Sequence, residues 1–307
     1  PPGCSRTLRM RTRGNCWRQC RNCGDIGPHI GRNPKCDGME RMRQMRWNRE
    51  KKQMKRVKPV LEVRDLTVRF TQRDTAVDGV SFQLYPGEIL GIAGESGSGK
   101  STVARAVTRL IDAASGEIFL KGAPITHVTG KRQRAVYRDI QMVFQSPAGS
   151  FDPRKTLGDG IGESLGNTGM KRSEVRERVG ELLRQCGLGE EFAGKYAREV
   201  SGGQCQRAAI ARALAIRPDI LVCDEAVNAL DVTVQKQIIE VLKDLQQEYG
   251  MSYLFISHDL ALMQSFCDRL LIMQKGKIVE EGTADEVILH PKKEYTKRLM
   301  EAAFLFG

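Results

Sequence analysis

Two stretches of this 307-residue sequence have the residue types and spacing to act on a phosphate. The first is Gly94-Glu95-Ser96-Gly97-Ser98-Gly99-Lys100-Ser101-Thr102, with the Gly-x4-Gly-Lys-Ser spacing of a phosphate-binding loop. Glycines there let the backbone turn so that its N–H groups face phosphate oxygens. A helix that follows adds the positive end of its dipole. Lys100 is then expected to reach the β- and γ-phosphates of a nucleoside triphosphate, and the Ser101 hydroxyl to ligate Mg²⁺. The second stretch is Asp224-Glu225, which closes the apolar run Ile220-Leu221-Val222-Cys223. A carboxylate at the end of a buried strand can hold Mg²⁺ through water, and its neighbour can polarise an attacking water. Taken alone, the first could be a Gly-rich turn and the second an ordinary acidic strand end. Together they point to hydrolysis of a nucleoside triphosphate.

A third stretch, Val200-Ser201-Gly202-Gly203-Gln204, reads by itself as a polar turn capping a helix. Here it precedes Cys205-Gln206-Arg207 and a helix leading straight to the Asp-Glu strand. This order resembles the ABC (ATP-binding cassette) ATPases, and the likeness runs from about Val60 to the C-terminus, roughly four fifths of the chain. The resemblance implies ATP as the nucleotide and Mg²⁺ as its cation. It implies that Gln145, in Gln141-Met142-Val143-Phe144-Gln145, senses the γ-phosphate and Mg²⁺ and couples to a membrane partner. Ala229-Leu230-Asp231 matches the family's D-loop, with Asn228 where a Ser is common. His258, in Ile256-Ser257-His258-Asp259, matches the histidine that contacts the γ-phosphate, and Phe70 the aromatic that stacks on adenine. The implied nucleotide contacts are therefore Phe70, Gly94 through Thr102, Gln145 and Asp224. Ser101, Gln145 and Asp224 would serve Mg²⁺, and Lys100, Gln145, Glu225 and His258 catalysis. The family sandwiches ATP between two cassettes, so Ser201 and Gly203 are expected to serve a partner's nucleotide.

Within the family, Ser201 to Arg207, Cys223 to Val227 and the tail His290-Pro291…Tyr295-Thr296…Leu299 resemble the ATPases of dipeptide, oligopeptide and nickel importers. That resemblance implies a second, paralogous ATPase, two membrane permease subunits, an extracytoplasmic solute-binding protein, and a place on the cytoplasmic face of the membrane. The alternative is an ATPase subunit of a soluble enzyme complex such as phosphonate carbon–phosphorus lyase.

The elements that must position these residues alternate along the chain. Strands are expected at Val60 to Phe70, Gly79 to Leu84, Glu88 to Ala93, Ile220 to Cys223 and Ser252 to Ile256. Helices are expected at Ser101 to Leu110, Ser173 to Cys186, 206–216, Gln235 to Tyr249 and Leu260 to Cys267. Leu270 to Met273 and Lys277 to Glu280 read as a hairpin about Gln274-Lys275-Gly276. Such alternation implies a mainly parallel sheet with ligands at the strand carboxyl ends. The expected fold is α/β: a RecA-like P-loop core with an antiparallel β subdomain and a helical signature subdomain at about 150–205. The expected cassette spans 60–285, and 286–307 form a tail typical of peptide and nickel importer ATPases.

The net charge of +12 is unevenly placed. Residues 1–59 carry 17 Lys and Arg against 4 Asp and Glu, and the other 248 carry 32 against 33. The body is neutral, so the basic balance is not evidence for a nucleic-acid-binding core, and no nucleic-acid partner is expected. No apolar run reaches the ~18–20 residues that span a bilayer. Cys186, Cys205, Cys223 and Cys267 are scattered as reduced thiols would be. Cys4, Cys16, Cys20, Cys23 and Cys36 crowd the start. There a zinc or iron–sulfur site, a disordered basic stretch, or a stretch that is not native protein are the alternatives. The third fits better. Shifted by two bases, and with CGN arginine codons, the stretch can read His-Pro-x3-Tyr-Thr-x2-Leu-Leu-Ala-Ala-Met-Pro, the spacing of this chain's own tail. Cys36-Asp37 permits a stop codon just before Met39. Residues 1–38 are therefore expected to be the out-of-frame, disordered end of a neighbouring paralogous gene, and 39–59 a basic lead-in.

Overall fold

The computed structural model describes residues 57–71, 74–227 and 232–305, the side chains of 304 and 305 excepted. The expected leader at 1–38, most of the basic lead-in, Asn228 and Ala229-Leu230-Asp231 lie outside the described residues.

The chain enters as an antiparallel pair, β1 (Leu61–Arg69) and β2 (Thr75–Leu84). The short β3 (Ile89–Ala93) runs through the phosphate-loop sequence into α1 (Lys100–Val107). Next come β4 (Ser115–Leu120), β5 (Ala123–Pro124), α2 (Gly130–Asp139) and β6 (Ile140–Val143). A helical stretch follows: α3 (Leu157–Gly166), α4 (Arg172–Gln185) and α5 (Gly202–Leu214), with single 3-10 turns between. Strand and helix then alternate through β7 (Ile220–Asp224), α6 (Val232–Tyr249), β8 (Ser252–Ile256) and α7 (Leu260–Phe266). The hairpin β9 (Arg269–Gln274) and β10 (Lys277–Thr283) precedes α8 (Ala284–Leu289) and α9 (Glu294–Leu305).

Two sheets result. One is antiparallel in the order β2-β1-β4-β5. The other runs β10-β9-β3-β8-β7-β6, parallel except for β10. The parallel strands β3, β7 and β8 are buried at every position, as strands covered on both faces must be. Their alternate residues serve two separate cores. Leu221, Cys223, Tyr253 and Phe255 pack on the side of α3 to α7. Ile220, Val222, Leu254 and Ile256 pack with α1 and the antiparallel sheet. This is the α/β core with antiparallel and helical parts that the sequence led us to expect.

Several element ends differ from the sequence reading. β2 begins at Thr75 rather than Gly79, because Thr75 and Val77 pair with Arg69 and Val68 across a bulged register that the left-handed Gly79 obscures. β9 begins at Arg269 rather than Leu270, because this charged residue is buried against Glu88 and also bonds Glu281. Burial pushes the Glu88 carboxyl above its ordinary range, against the pull of Arg269. Breaking such a pair from one side typically costs ~3–5 kcal/mol, so it pins β9 beside β3 and the loop that β3 feeds. Cys186, Cys205, Cys223 and Cys267 are buried free thiols, and burial pushes those of Cys186 and Cys223 up to about 12.

Candidate nucleotide site

Strand order brings four loops together. β3, β8, β7 and β6 are consecutive parallel neighbours, so their carboxyl ends lie side by side. β3 leads into Gly94–Gly99, β8 into His258, β7 into Glu225, and β6 reaches Gln145 two residues past its end. Sheet topology, not sequence proximity, brings these residues to one edge of the sheet.

The Gly94–Gly99 loop has a backbone that only glycine adopts without strain at its key turn. Gly99 has φ +103°, and a Cβ there would stand 2.3 Å from the Ala76 carbonyl oxygen of β2. No side chain caps α1, so the amides of its first turn stay available to an anion. The Gly276 N–H, in the β9–β10 turn, donates to the Ser98 carbonyl at 3.0 Å and holds the loop from behind. Glu95, Ser96 and Gly97 are exposed at the crest, and Thr102 is half-buried. Gly99→Ala is expected to cost about 1–3 kcal/mol of loop strain, hence about 5- to 150-fold in nucleotide affinity. Calorimetric titration with ATP measures this, and undiminished affinity would contradict the geometry.

Lys100 is buried, and its Nζ donates to the carbonyls of Gly94 (2.9 Å) and Glu95 (2.7 Å) and to Ser98 Oγ (3.4 Å). Burial lowers its pKa, while the charges of Glu225, Asp224 and Glu95 oppose that shift. A desolvated ammonium held only by neutral oxygens can exchange them for phosphate oxygens at a gain.

Beneath the loop, Ser101 Oγ donates to Asp224 Oδ1 at 2.8 Å. Burial raises the Asp224 carboxyl above its ordinary range, the Ser101 hydrogen bond opposes this, and the Glu225 charge adds to it. Two hard oxygen donors, one in a carboxylate that repulsion and burial disfavour as an anion, suit a small divalent cation such as Mg²⁺. Glu225 has the left-handed φ of +49°, and its N–H donates to the Ile256 carbonyl of β8 at 3.0 Å. A non-glycine residue held so is strained by about 1–3 kcal/mol, a cost found where a side chain must be aimed. Gln145 Nε2 donates to Glu225 Oε2 at 2.7 Å, joining residues 80 positions apart. His258 is exposed just past β8.

Three expected site residues stand outside this cluster. Ser201 is exposed and caps α5: its Oγ accepts from Gln204 N–H (3.3 Å), and its own N–H donates to Gln204 Oε1 (2.9 Å). Gly203, two residues on, is buried, and a Cβ there would meet Val234 at 2.6 Å. Beside them a cavity of about 310 Å³ is lined by Ser201, Gly203, Gln204, Arg207 and Val234, among others. Phe70 is 57% exposed after β1, on the loop to β2. The sequence reading missed the supports behind the loop, Ala76 and Gly276. Both act through backbone atoms, which carry no residue-type signal.

Residues 77–228 match the family model described as ABC transporter. The oligopeptide transport ATP-binding protein OppF of Escherichia coli (strain K12) is 45% identical over 259 residues, covering 80% of this chain and 78% of that protein. The glutathione import ATP-binding protein GsiA of the same strain is 46% identical over 255 residues, and this chain spans 41% of its length. Among solved structures, cbiO1 of Clostridium perfringens, part of the ABC transporter complex cbiONQ, superposes with TM-score 0.69. It is 26% identical and covers 81% of this chain and 98% of its own. The dimeric ATP-binding cassette MJ0796, bound to ADP and Pi after hydrolysis, superposes with TM-score 0.68. It is 29% identical and covers 73% of this chain and 98% of its own.

Proposed function

Because this chain belongs to the ABC transporter ATP-binding family, we propose that it is the ATP-hydrolysing subunit of an importer for peptides or similarly small solutes. The observation that carries this reading is the 45% identity to an oligopeptide transport ATP-binding protein along 78% of that protein's length.

The chemistry follows from the side chains. ATP enters with its phosphates against the Gly94–Gly99 amides and the start of α1. Lys100 leaves the Gly94 and Glu95 carbonyls for the β- and γ-phosphate oxygens. Ser101, Asp224 and Gln145 would hold Mg²⁺, which when bound supplies charge neutralisation across the phosphates. Glu225 orients a water for in-line attack on the γ-phosphorus and accepts its proton, with Gln145 fixing the carboxylate. His258 steadies the departing phosphate, and Phe70 offers its exposed ring to the adenine.

Ser201 and Gly203 are proposed to serve the nucleotide of a second, paralogous cassette, and the family's D-loop match lies outside the described residues. Among the described residues no helix is long and apolar enough to cross a membrane. Attachment to the cytoplasmic face of the membrane is accordingly proposed to run through two permease subunits, with a solute-binding protein outside.

Affinity isolation of the tagged chain from detergent-solubilised membranes of its source tests the importer role. The expected result is an assembly containing integral-membrane subunits whose ATP hydrolysis rises when the peptide-loaded binding protein is added. A soluble multi-enzyme assembly with no membrane subunit would contradict the importer reading and leave the ATPase chemistry intact.

A further inference from the structure

The tail His290-Pro291…Tyr295-Thr296 is not used by the nucleotide chemistry, yet it is built into the fold next to it. Glu280, buried on β10, accepts hydrogen bonds from the N–H groups of Lys292 (2.8 Å) and Lys293 (3.0 Å) through its two carboxylate oxygens. This fixes the chain just before α9. One turn later Thr296 is fully buried and Met300 joins the core, with Tyr295 and Leu299 packed against it. The helix is thus held at its start and along one face. Its docking delivers the Tyr295 hydroxyl to the phosphate loop, where it accepts a hydrogen bond from the Glu95 N–H at 3.2 Å, across 200 residues.

That contact completes a set. The carbonyl of Glu95 is held by Lys100, and its amide by Tyr295. The Ser98 N–H donates to the Glu95 carbonyl at 3.2 Å, and the Ser98 carbonyl accepts from Gly276. The loop is therefore tied at two points to segments near the C-terminal end of the chain, β9–β10 and α9. A loop whose amides converge on an anion site is costly to order while the anion is absent. Freezing a residue's backbone costs conformational entropy. Ties made before ligand binding remove that cost from the binding step. When Lys100 moves to phosphate, the Glu95 carbonyl keeps its bond from the Ser98 N–H, and the Tyr295 hydroxyl still holds the Glu95 N–H on the preceding peptide.

We propose that Tyr295 is a positioning residue for the phosphate loop, so that docking of the C-terminal helix sets the affinity for ATP. The proposal rests on the nucleotide reading above. Burial pushes the Tyr295 phenol above its ordinary range, so the hydroxyl stays neutral through physiological pH and serves as an acceptor without adding charge beside the phosphates.

Tyr295→Phe removes the acceptor and keeps the ring. In the full chain within its assembly, the Kd and KM for ATP are expected to weaken by about 2- to 10-fold, with kcat within about twofold of wild type. A merely structural role for the ring would leave that split unmoved. Glu280→Gln loosens the lead-in to the same helix without touching the loop and carries the same expectation, which covers the case of a poorly folding Tyr295→Phe. The double variant should be no weaker than the stronger single one. Unchanged or tighter ATP binding in Tyr295→Phe, or a loss confined to kcat, would overturn the proposal. Failure of the wild-type chain itself to bind ATP would instead overturn the nucleotide reading.

Discussion

Glu225→Gln is expected to reduce ATP hydrolysis by about 10²- to 10⁴-fold, the range typical of removing a general base, while ATP binding persists or tightens. The amide has the shape of the carboxylate, and its Oε1 can still accept from Gln145 Nε2, so the local geometry survives. What is lost is the ability to take a proton from water. Binding should not suffer, because the Glu225 charge is one of the causes holding the Asp224 carboxyl above its ordinary range. Neutralising position 225 relieves a like-charge contact where Mg²⁺ and three phosphates must fit. Phosphate release alongside equilibrium ATP binding separates the two effects. Near-normal turnover would remove Glu225 from its role and shift the search to His258.

Lys100→Met is expected to abolish useful ATP binding, with affinity falling by about 10- to 100-fold or more, because each charge-assisted hydrogen bond contributes about 1.5–3 kcal/mol. Nucleotide-free stability should change little. Lys100 is buried, and the cost of desolvating its ammonium already lowers its pKa despite Glu225, Asp224 and Glu95. Met fills a similar volume without that cost, which offsets the loss of a partner for the Gly94 and Glu95 carbonyls. Thermal melting without nucleotide, set beside ATP titration, distinguishes a functional lysine from a structural one. A variant that binds ATP like wild type, or that unfolds, would contradict this account.

Much of the site was legible because its signals are local. Gly94 to Ser101 is one continuous loop, and Asp224-Glu225 ends a run of buried apolar residues, so spacing and strand context sufficed. The contacts that turn these pieces into a site are not local. Ser101–Asp224 and Gln145–Glu225 depend on β3, β8, β7 and β6 being neighbours in that order, which no short window encodes. β6 itself escaped the sequence reading as a strand, since four residues are too few to show a period. β4 escaped because its half-exposed pattern lacks an apolar run. Ser201 shows the reverse case: it is expected to serve a partner's nucleotide and is, in this chain, an ordinary helix cap, and only a second cassette would bring out the first role. Tyr295 stood in a noticed motif, but its partner lies 200 residues away.

In the proposed mechanism ATP is held by the Gly94–Ser101 loop and cleaved by a water that Glu225 activates. The most direct measurement is the identity of the nucleotide retained after the isolated assembly is incubated with ATP and Mg²⁺, quenched and chromatographed. The wild-type chain should yield ADP and released phosphate, Glu225→Gln uncleaved ATP, and Lys100→Met almost no nucleotide. ADP formed by Glu225→Gln at the wild-type rate, or ATP retained by Lys100→Met, would contradict it.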